Sequence, residues 1–497
     1  MSSWASAMSQ LGPEIAVMVT LVWVMLSDLF LSRRPRGLWT QTLLGLAGAA
    51  FVAALGIYAG VSAAPLHPAI DSVLALTPMT SLLKAAVLTL AALSVAVAHG
   101  SFEETRRHAG EFYALLLFAT LGALLCISSQ DLLLFFVSFE LLSLPLYMLC
   151  AFRRYNSASA EAGLKYFVNG ALSSAFLLYG ISWIYGAVGT THLPTLTMRY
   201  SLLDSAPHGL LVGCLMVLLG LAFKISAAPF HHWAPDVYSG APPSVSVFLS
   251  TVPKVAMIGF ALQLFWGYLD TSGGFFHLST DWVLLFIILS VVSMFVGNLT
   301  ALPQTDLRKI LAYSGIAQVG YLCLGLAACS EVNPNPHRAL TGVLFYAIVY
   351  GLSNLGAWAV VAWVGRRQQR LDLNSLRGLH QRSPILAACL ALCLMSLAGV
   401  PPLSGFVGKF YIFRSIYDSK LPFLVVLGIL NSVISLFYYF RVLKAAYFVE
   451  PEESDPTPVA VRAVPRLAFH LCLWSNLVLG LWPGLIQVVE GVTASLS

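Results

Sequence analysis

Residues 219–238 read LGLAFKISAAPFHHWAPDVY, a lysine buried in apolar sequence, followed five residues later by a proline and then by two histidines and a second proline. In water such a stretch would be a broken amphipathic helix. Here it closes an apolar run that begins near residue 208, long enough to cross a bilayer, for which about twenty residues suffice. Non-helical backbone at membrane depth is tolerated only where it is buried in protein or faces a water-filled cavity. The stretch therefore predicts a membrane helix interrupted where an ion has to pass.

The rest of the chain agrees. Of 497 residues, 58% are hydrophobic and 10% are charged, and the mean hydropathy is +0.81. A soluble domain carries roughly 25% charged residues, so the solvent for this chain is lipid. Apolar segments predict fourteen transmembrane helices near 13–32, 38–60, 73–98, 111–127, 131–151, 163–188, 208–230, 243–269, 281–302, 309–329, 338–365, 384–417, 421–449 and 466–489. The first run has no cationic n-region or evident cleavage site and reads as a retained span. A net charge of +5, carried by loop arginines, gives no nucleic-acid footprint.

Arg33, Arg34, Arg36, Arg106, Arg107, Arg153, Arg154, Arg308, Lys309, Arg366, Arg367, Arg370, Arg377, Arg382, Arg462 and Arg466 fall in odd-numbered loops; the even ones offer little beyond Arg199, Arg338 and Lys420. By the positive-inside rule the odd loops are cytoplasmic and both termini periplasmic. The acidic, proline-rich EPEESDPTP, 450–458, reads as a solvated connector. No dinucleotide, phosphate-loop or zinc-protease motif occurs. The eight cysteines are scattered, and the Cys389/Cys393 pair has no further ligand at iron–sulfur or zinc spacing. They read as small buried apolar residues.

Ionisable groups at membrane depth cost roughly 2.5–3.5 kcal/mol each on insertion scales, so each is a functional candidate. Glu140 lies in DLLLFFVSFELLSLPLYML, 131–149, near the midplane of its span; its bland reading is a protonated carboxyl bonded to a neighbouring helix. Lys224 precedes the break at Pro229, and its bland reading is a snorkelling anchor. Lys254, in SVSVFLSTVPKVAMIGF, 244–260, is too deep to snorkel easily, and Pro253 loosens the backbone beside it. Lys409 lies in SLAGVPPLSGFVGKFYIFRS, 396–415. The segment 384–417 would be about 51 Å long as one helix, well beyond a hydrocarbon core of about 30 Å, so GVPPLSG, 399–405, predicts a second broken helix.

The seventh and twelfth helices are thus both interrupted and both carry a lysine. They are five helices apart, and an odd offset requires an inverted repeat, a pattern that points to an ion path. Lesser candidates are Lys165, which could snorkel, and His231 and His232, which could relay protons or cap the broken helix. Lys84 and Asp306 have blander readings still, and the Tyr438–Tyr439 pair fits an interfacial belt.

The runs FFVSFELLSLPLYML, KYFVNGALSSAFLLYG, FKISAAPFHHWAPDVYSGAPPSVSVFLSTVPKVA, LRKILAYSGIAQVGYL and GVPPLSGFVGKFYIF resemble the antiporter-like membrane subunits of respiratory complex I, over the fourth to thirteenth helices. The M-type branch of that family typically has a glutamate where Lys409 stands. The L-type branch has a long C-terminal lateral helix, for which the residues up to Ser497 leave no room. Both departures favour the N-type branch. The large subunits of multisubunit sodium/proton antiporters are close relatives.

The resemblance implies an all-α polytopic protein: a three-helix region over 1–110, two inverted five-helix bundles over 111–269 and 281–449, and a loop with a last helix over 450–497. It implies that Glu140 and Lys224 form the ion pair of a first half-channel, with Lys254 the connecting lysine and Lys409 the terminal one. Lys165 and His231 match further family positions. It implies a proton-translocating subunit of an NADH:quinone oxidoreductase in the bacterial inner membrane, partnered by other subunits of the complex and by lipid. NADH, FMN, iron–sulfur clusters and quinone would be held by other subunits, with no cofactor or metal on this chain. A cation/proton antiporter subunit without electron transfer is the alternative, since it shares the lysines and the breaks.

Overall fold

The computed structural model describes residues 11–30, 37–58, 73–99, 108–200, 208–266, 280–329, 333–366, 371–450, 459, 461–482 and 484–495. Seven of the loop arginines above (Arg33, Arg34, Arg36, Arg106, Arg107, Arg367 and Arg370) and connector residues 451–458 lie outside these.

The described residues are almost entirely helical, in order α1 (Gly12–Phe30), α2 (Leu38–Tyr58), α3 (Pro78–Ala98), α4 (Ala109–Ser128), α5 (Leu132–Cys150), α6 (Ser157–Val188), α7 (His208–Ile225), α8 (Trp233–Gly240), α9 (Pro243–Leu249), α10 (Val252–Trp266), α11 (Thr280–Ala301), α12 (Leu307–Ala328), α13 (Pro336–Val364), α14 (Pro384–Ala398), α15 (Ser404–Asp418), α16 (Pro422–Tyr447), α17 (Ala463–Leu481) and α18 (Gly484–Ala494). Short helical pieces at Leu193–Tyr200, Leu373–Leu376 and Leu379–Arg382 sit in connections. Among the described residues, pairing between extended segments is limited to isolated bridges such as Asp131 with His192.

Among the described residues, thirteen helices or helix pairs are long and apolar enough to cross a membrane, and the shorter apolar α14 is followed by α15 where the twelfth span is expected. Their ends follow ordinary capping chemistry. Asp131 caps α5 by accepting from the backbone N–H of Leu133 at 2.8 Å. Thr77 and Thr80 form a reciprocal capping box at α3. Asn156 caps α6 by accepting from the Ser159 N–H at 3.1 Å, which starts that helix at Ser157, earlier than the apolar pattern begins.

The last segment also differs from expectation: the chain leaves the helix at Trp482, and the separate α18 returns to α13, where Thr341 and Thr493 hydroxyls lie 3.0 Å apart.

α13 is the central pillar. It packs on α3, α9, α10, α12, α14, α15, α17 and α18, and nearly all of it is enclosed by other helices. Apolar residues surround it on every side, as a helix buried in a bundle requires. The outer helices instead leave large apolar side chains such as Trp23, Phe51, Phe176, Phe423 and Trp474 uncovered, the surface that acyl chains would solvate.

Three spans are interrupted. The seventh is α7 and α8, joined by a turn over 226–232 in which Ser226 takes φ 63°. The twelfth is α14 and α15, and Gly399, at φ 86°, turns the chain out of α14 in the left-handed region that glycine enters without penalty. The eighth span, expected to be continuous, is α9 and α10 with a break at Ser250–Thr251. Pro253 has no N–H to give to the preceding turn. At the break itself, the carbonyl of Ser250 accepts from the Tyr350 hydroxyl and from Asn354 Nδ2, each at 3.1 Å. Lys254 is thereby delivered at the start of a half-helix rather than in the middle of a regular one.

Candidate functional site

Four lysines are 3% exposed or less, Lys84, Lys224, Lys254 and Lys409, and the last three stand at helix breaks. Each of those three is placed by one of the three breaks.

Lys224 occupies the last turn of α7, where the partial negative charge at a helix C-terminus favours a cation. Its Nζ donates to Ser143 Oγ of α5 at 2.7 Å. The rings of Phe139, Tyr166 and Tyr147 surround it at 5.0, 5.2 and 5.7 Å, a cage that suits a desolvated ammonium.

Glu140, also on α5, is not in direct contact with that ammonium. Its carboxylate accepts a short hydrogen bond from Ser174 of α6, and it forms no ion pair with Lys224 within 4 Å among the described residues. The reason is helical geometry. Ser143 is three residues from Glu140, which rotates the two side chains about 60° apart around α5. Ser143 faces α7, and Glu140 turns to α6 with its side chain partly uncovered. The expected ion pair is therefore replaced by two serine contacts.

Lys254 donates to the carbonyl of Gly315 on α12 at 3.2 Å and lies 5.8 and 5.9 Å from the rings of Tyr350 and Tyr238. A β-carbon at position 315 would stand 3.0 Å from Lys254 Nζ, so the glycine makes the approach possible.

Lys409 lies on the far side of its break and reaches back across it. Its Nζ donates to the carbonyls of Leu397 and Ala398 at 2.9 and 3.3 Å and to Ser432 Oγ at 3.3 Å, with the Tyr321 ring 4.1 Å away. The break has freed the last carbonyls of α14, and the lysine satisfies them. Lys224 precedes its break and Lys409 follows its own, so the two spans present their cations from opposite half-helices.

The remaining candidates sit differently. Lys165 is not among the buried cations. It pairs with Glu161 at 2.7 Å and Asp236 at 2.9 Å on the outer face, with all three side chains between 42% and 63% exposed. His231 is 8% exposed in the turn between α7 and α8, and its Nδ1 makes no hydrogen bond to the described residues. His232, at the N-cap of α8, makes no side-chain cap bond, which removes the capping reading for it. Asp306 caps α12 and pairs with Arg308 at 2.9 Å, the blander of its readings.

Two features escaped the sequence reading. Between Lys254 and Lys409 lies a buried polar network centred on Gln318. Gln318 Nε2 donates to the Leu397 carbonyl at 2.8 Å and to the Tyr439 hydroxyl at 3.2 Å, and its Oε1 accepts a short bond from Tyr346. Tyr439 also meets Ser314, next in sequence to the Gly315 that receives Lys254. Tyr438 and Tyr439 are therefore not belt residues. They are 1% and 0% exposed, and Tyr438 donates to Asn298 Oδ1 at 3.0 Å. The signal was present in LRKILAYSGIAQVGYL, where Ser314, Gln318 and Tyr321 recur at helical spacing as a polar stripe.

The second feature is a buried ion pair between Lys84 of α3 and Glu14 of α1, 2.6 Å apart with side chains 3% and 6% exposed. Opposite charges in the first two turns of two parallel spans were its signature.

Among the described residues, Tyr166 Oη, His231 Nδ1 and Asn354 Oδ1, buried around the first break, make no hydrogen bond, and the Ser226 and Tyr238 hydroxyls are left to each other. Buried polar groups are almost always hydrogen-bonded, and this stretch, between Lys224 and Lys254, offers the donors and acceptors that water would need. Among the described residues, no three of His, Cys, Asp and Glu come together to hold a metal ion.

The arrangement is that of known proteins. Residues 129–435 match the family described as NADH:quinone oxidoreductase/Mrp antiporter, TM. The chain is 41% identical to NADH-quinone oxidoreductase subunit N 2 of Acidobacterium capsulatum, with 96% of each chain covered. It is similar to a chain of respiratory complex I from Thermus thermophilus at 32% identity and a TM-score of 0.78, covering 95% of this chain and 98% of that one. A chain of the Mrp complex from a Dietzia species shares the fold alone, at 20% identity and a TM-score of 0.81, with 98% and 97% covered. The chain belongs to the NADH-quinone oxidoreductase subunit N family, within the broader family of antiporter-like membrane subunits.

Proposed function

We propose that this chain is the proton-translocating membrane subunit of a bacterial NADH:quinone oxidoreductase, driven by quinone reduction on other subunits. The observation that carries the reading is the row of buried lysines, each held at a helix break and each facing tyrosine. Uncompensated charge at such depth is expensive, so three such sites in one chain need a function.

Protons would enter at Lys224, pass Lys254 and leave by Lys409. Burial disfavours the charged form of a lysine and a nearby carboxylate favours it. Glu140 then acts as the switch: displacement of its carboxylate towards Lys224 would hold a proton there, and withdrawal to Ser174 would release it to Lys254. His231 stands beside the proposed route with one ring nitrogen available. Lys165, tied to Glu161 and Asp236, would fasten the outer end of α8 to α6 rather than carry protons. Residues 111–269 and 281–449 would form the two inverted bundles, with 1–110 and 450–497 flanking them. Both termini would face the periplasm of an inner membrane, with the remaining membrane-arm and dehydrogenase subunits as partners.

The test uses inverted vesicles holding the assembled complex with Lys224→Ala. NADH-driven acidification and NADH:quinone reductase rate are recorded together, and the expected result is loss of both. Normal values for both would leave a cation/proton antiporter as the better reading.

A further inference from the structure

The proposed relay has to get from Lys254 to Lys409, and the side chain between them is a carboxamide. Gln318 is fully buried. A glutamine amide offers two N–H donors and one carbonyl acceptor, and here each is committed. One N–H goes to Leu397 O, the other to the Tyr439 hydroxyl, and the carbonyl receives Tyr346. The Leu397 oxygen it holds is the same one that takes the Lys409 ammonium. On the other side, Tyr439 leads to Ser314, one residue from the Gly315 carbonyl that takes the Lys254 ammonium.

A proton crossing this point by hopping would have to land on Oε1 while another left Nε2. That leaves an imidic acid, and the reverse exchange is needed before a second proton can pass. A hydroxyl, carboxyl or imidazole in the same place has no such difficulty. An amide pinned on three sides thus stands between the Ser314 and Tyr439 hydroxyls and Lys409; the Gly315 and Leu397 carbonyls only accept, so a proton reaches Lys409 directly from the group at position 318 once that group has left the Leu397 oxygen. It opens only by turning away from Leu397, which also frees the acceptor of Lys409.

We propose that Gln318 is the gate of the second half of the pathway, a positioning residue that blocks proton transfer between Lys254 and Lys409 while bonded to Leu397. The inference rests on the relay described above. Its physical purpose would be to prevent back-leak: without it, the membrane potential would drive protons inward through the same groups that export them.

The test is passive leak through the assembled complex in vesicles, measured as decay of the pH gradient after NADH is exhausted. Gln318→Glu and Gln318→His each put a titratable group at the gate. The decay should then quicken about tenfold, a conservative figure given that a positioned proton-transfer group contributes roughly 100-fold or more. Adding Lys409→Met to either variant should return the decay to the unmodified rate, which a merely loosened structure would not do. Assembled Gln318→Glu or Gln318→His complexes that hold their gradient as long as the unmodified one would overturn the gate. If neither assembles, Tyr346→Phe removes one oxygen and one of the three ties on the amide; a faster decay supports the gate and an unchanged one overturns it. Lys254→Met or Lys409→Met complexes that pump normally would instead defeat the relay itself, whatever Gln318 does.

Discussion

Lys409 and Gln318 donate to the same oxygen, the carbonyl of Leu397, at 2.9 and 2.8 Å. One comes from α15 across the break and the other from α12. A lysine on a half-helix end and an amide on a neighbouring helix thereby share one acceptor, one on each lone pair.

Lys409 should work as a proton carrier and not only as a positive charge. Lys409→Arg keeps the charge but not the ability to lose it, because the guanidinium stays protonated in proteins. NADH-driven acidification should fall about tenfold or more in Lys409→Arg and Lys409→Met alike. Retention of pumping by the arginine variant would show that charge alone suffices.

Gly315→Ala separates helix stability from function. In a helix interior alanine is favoured over glycine by about 1 kcal/mol, while overpacking typically costs about 1–3 kcal/mol. The two nearly cancel, so the assembled complex should be recovered in normal amount. The added methyl would stand 3.0 Å from Lys254 Nζ, and the ammonium must give by a few tenths of an ångström, which strains its 3.2 Å bond to the Gly315 carbonyl. Pumping and quinone reductase rate should drop several-fold together; full activity would mean that this contact is incidental.

Ser143→Ala deletes the hydrogen bond that Lys224 donates to the serine at 2.7 Å. Hydrogen bonds to charged groups contribute about 1.5–3 kcal/mol, so the loaded state should weaken by roughly 10- to 100-fold. The proton-pumping rate should fall accordingly, and Ser143→Thr, which keeps the hydroxyl, should restore most of it. Equal rates in the alanine and threonine variants would exclude Ser143 from holding the proton.

The Glu14–Lys84 pair lies apart from the lysine row and should act on stability. Removing one partner of a buried ion pair costs about 3–5 kcal/mol, because the other charge is left uncompensated. Lys84→Met alone should lower the midpoint of thermal disassembly. Glu14→Gln combined with Lys84→Met should recover most of it, since a matched neutral pair leaves no stranded charge. Non-additivity in that double-mutant cycle is the measurement; simple additivity would deny the coupling.

The breaks were legible because proline and glycine inside an apolar run have few other readings. The three lysines at the breaks were legible because charge within such a run is conspicuous. What the sequence did not disclose is direction around a helix. Glu140 and Ser143 differ by three residues, and nothing in their spacing says which of them meets α7 until the packing of α5 is known. The eighth span hid its break for a related reason: Pro253 signalled a loosened turn, but only Tyr350 and Asn354 from α13 stabilise the opened carbonyl of Ser250. Tyr438 and Tyr439 were misread despite a usable clue. They lie nine and eight residues before the end of α16 at Tyr447, about 12–14 Å from it, too deep for an interfacial belt.

Each of the three lysines at the helix breaks has a tyrosine ring within 6 Å: Tyr147 and Tyr166 beside Lys224, Tyr238 and Tyr350 beside Lys254, Tyr321 beside Lys409. An ammonium that gains or loses its charge at that range changes the electric field across the phenol. The near-ultraviolet absorption and Raman bands of the ring respond to that field. The protein consequently carries its own optical reporters, and turnover should be visible as a tyrosine difference spectrum with no label attached.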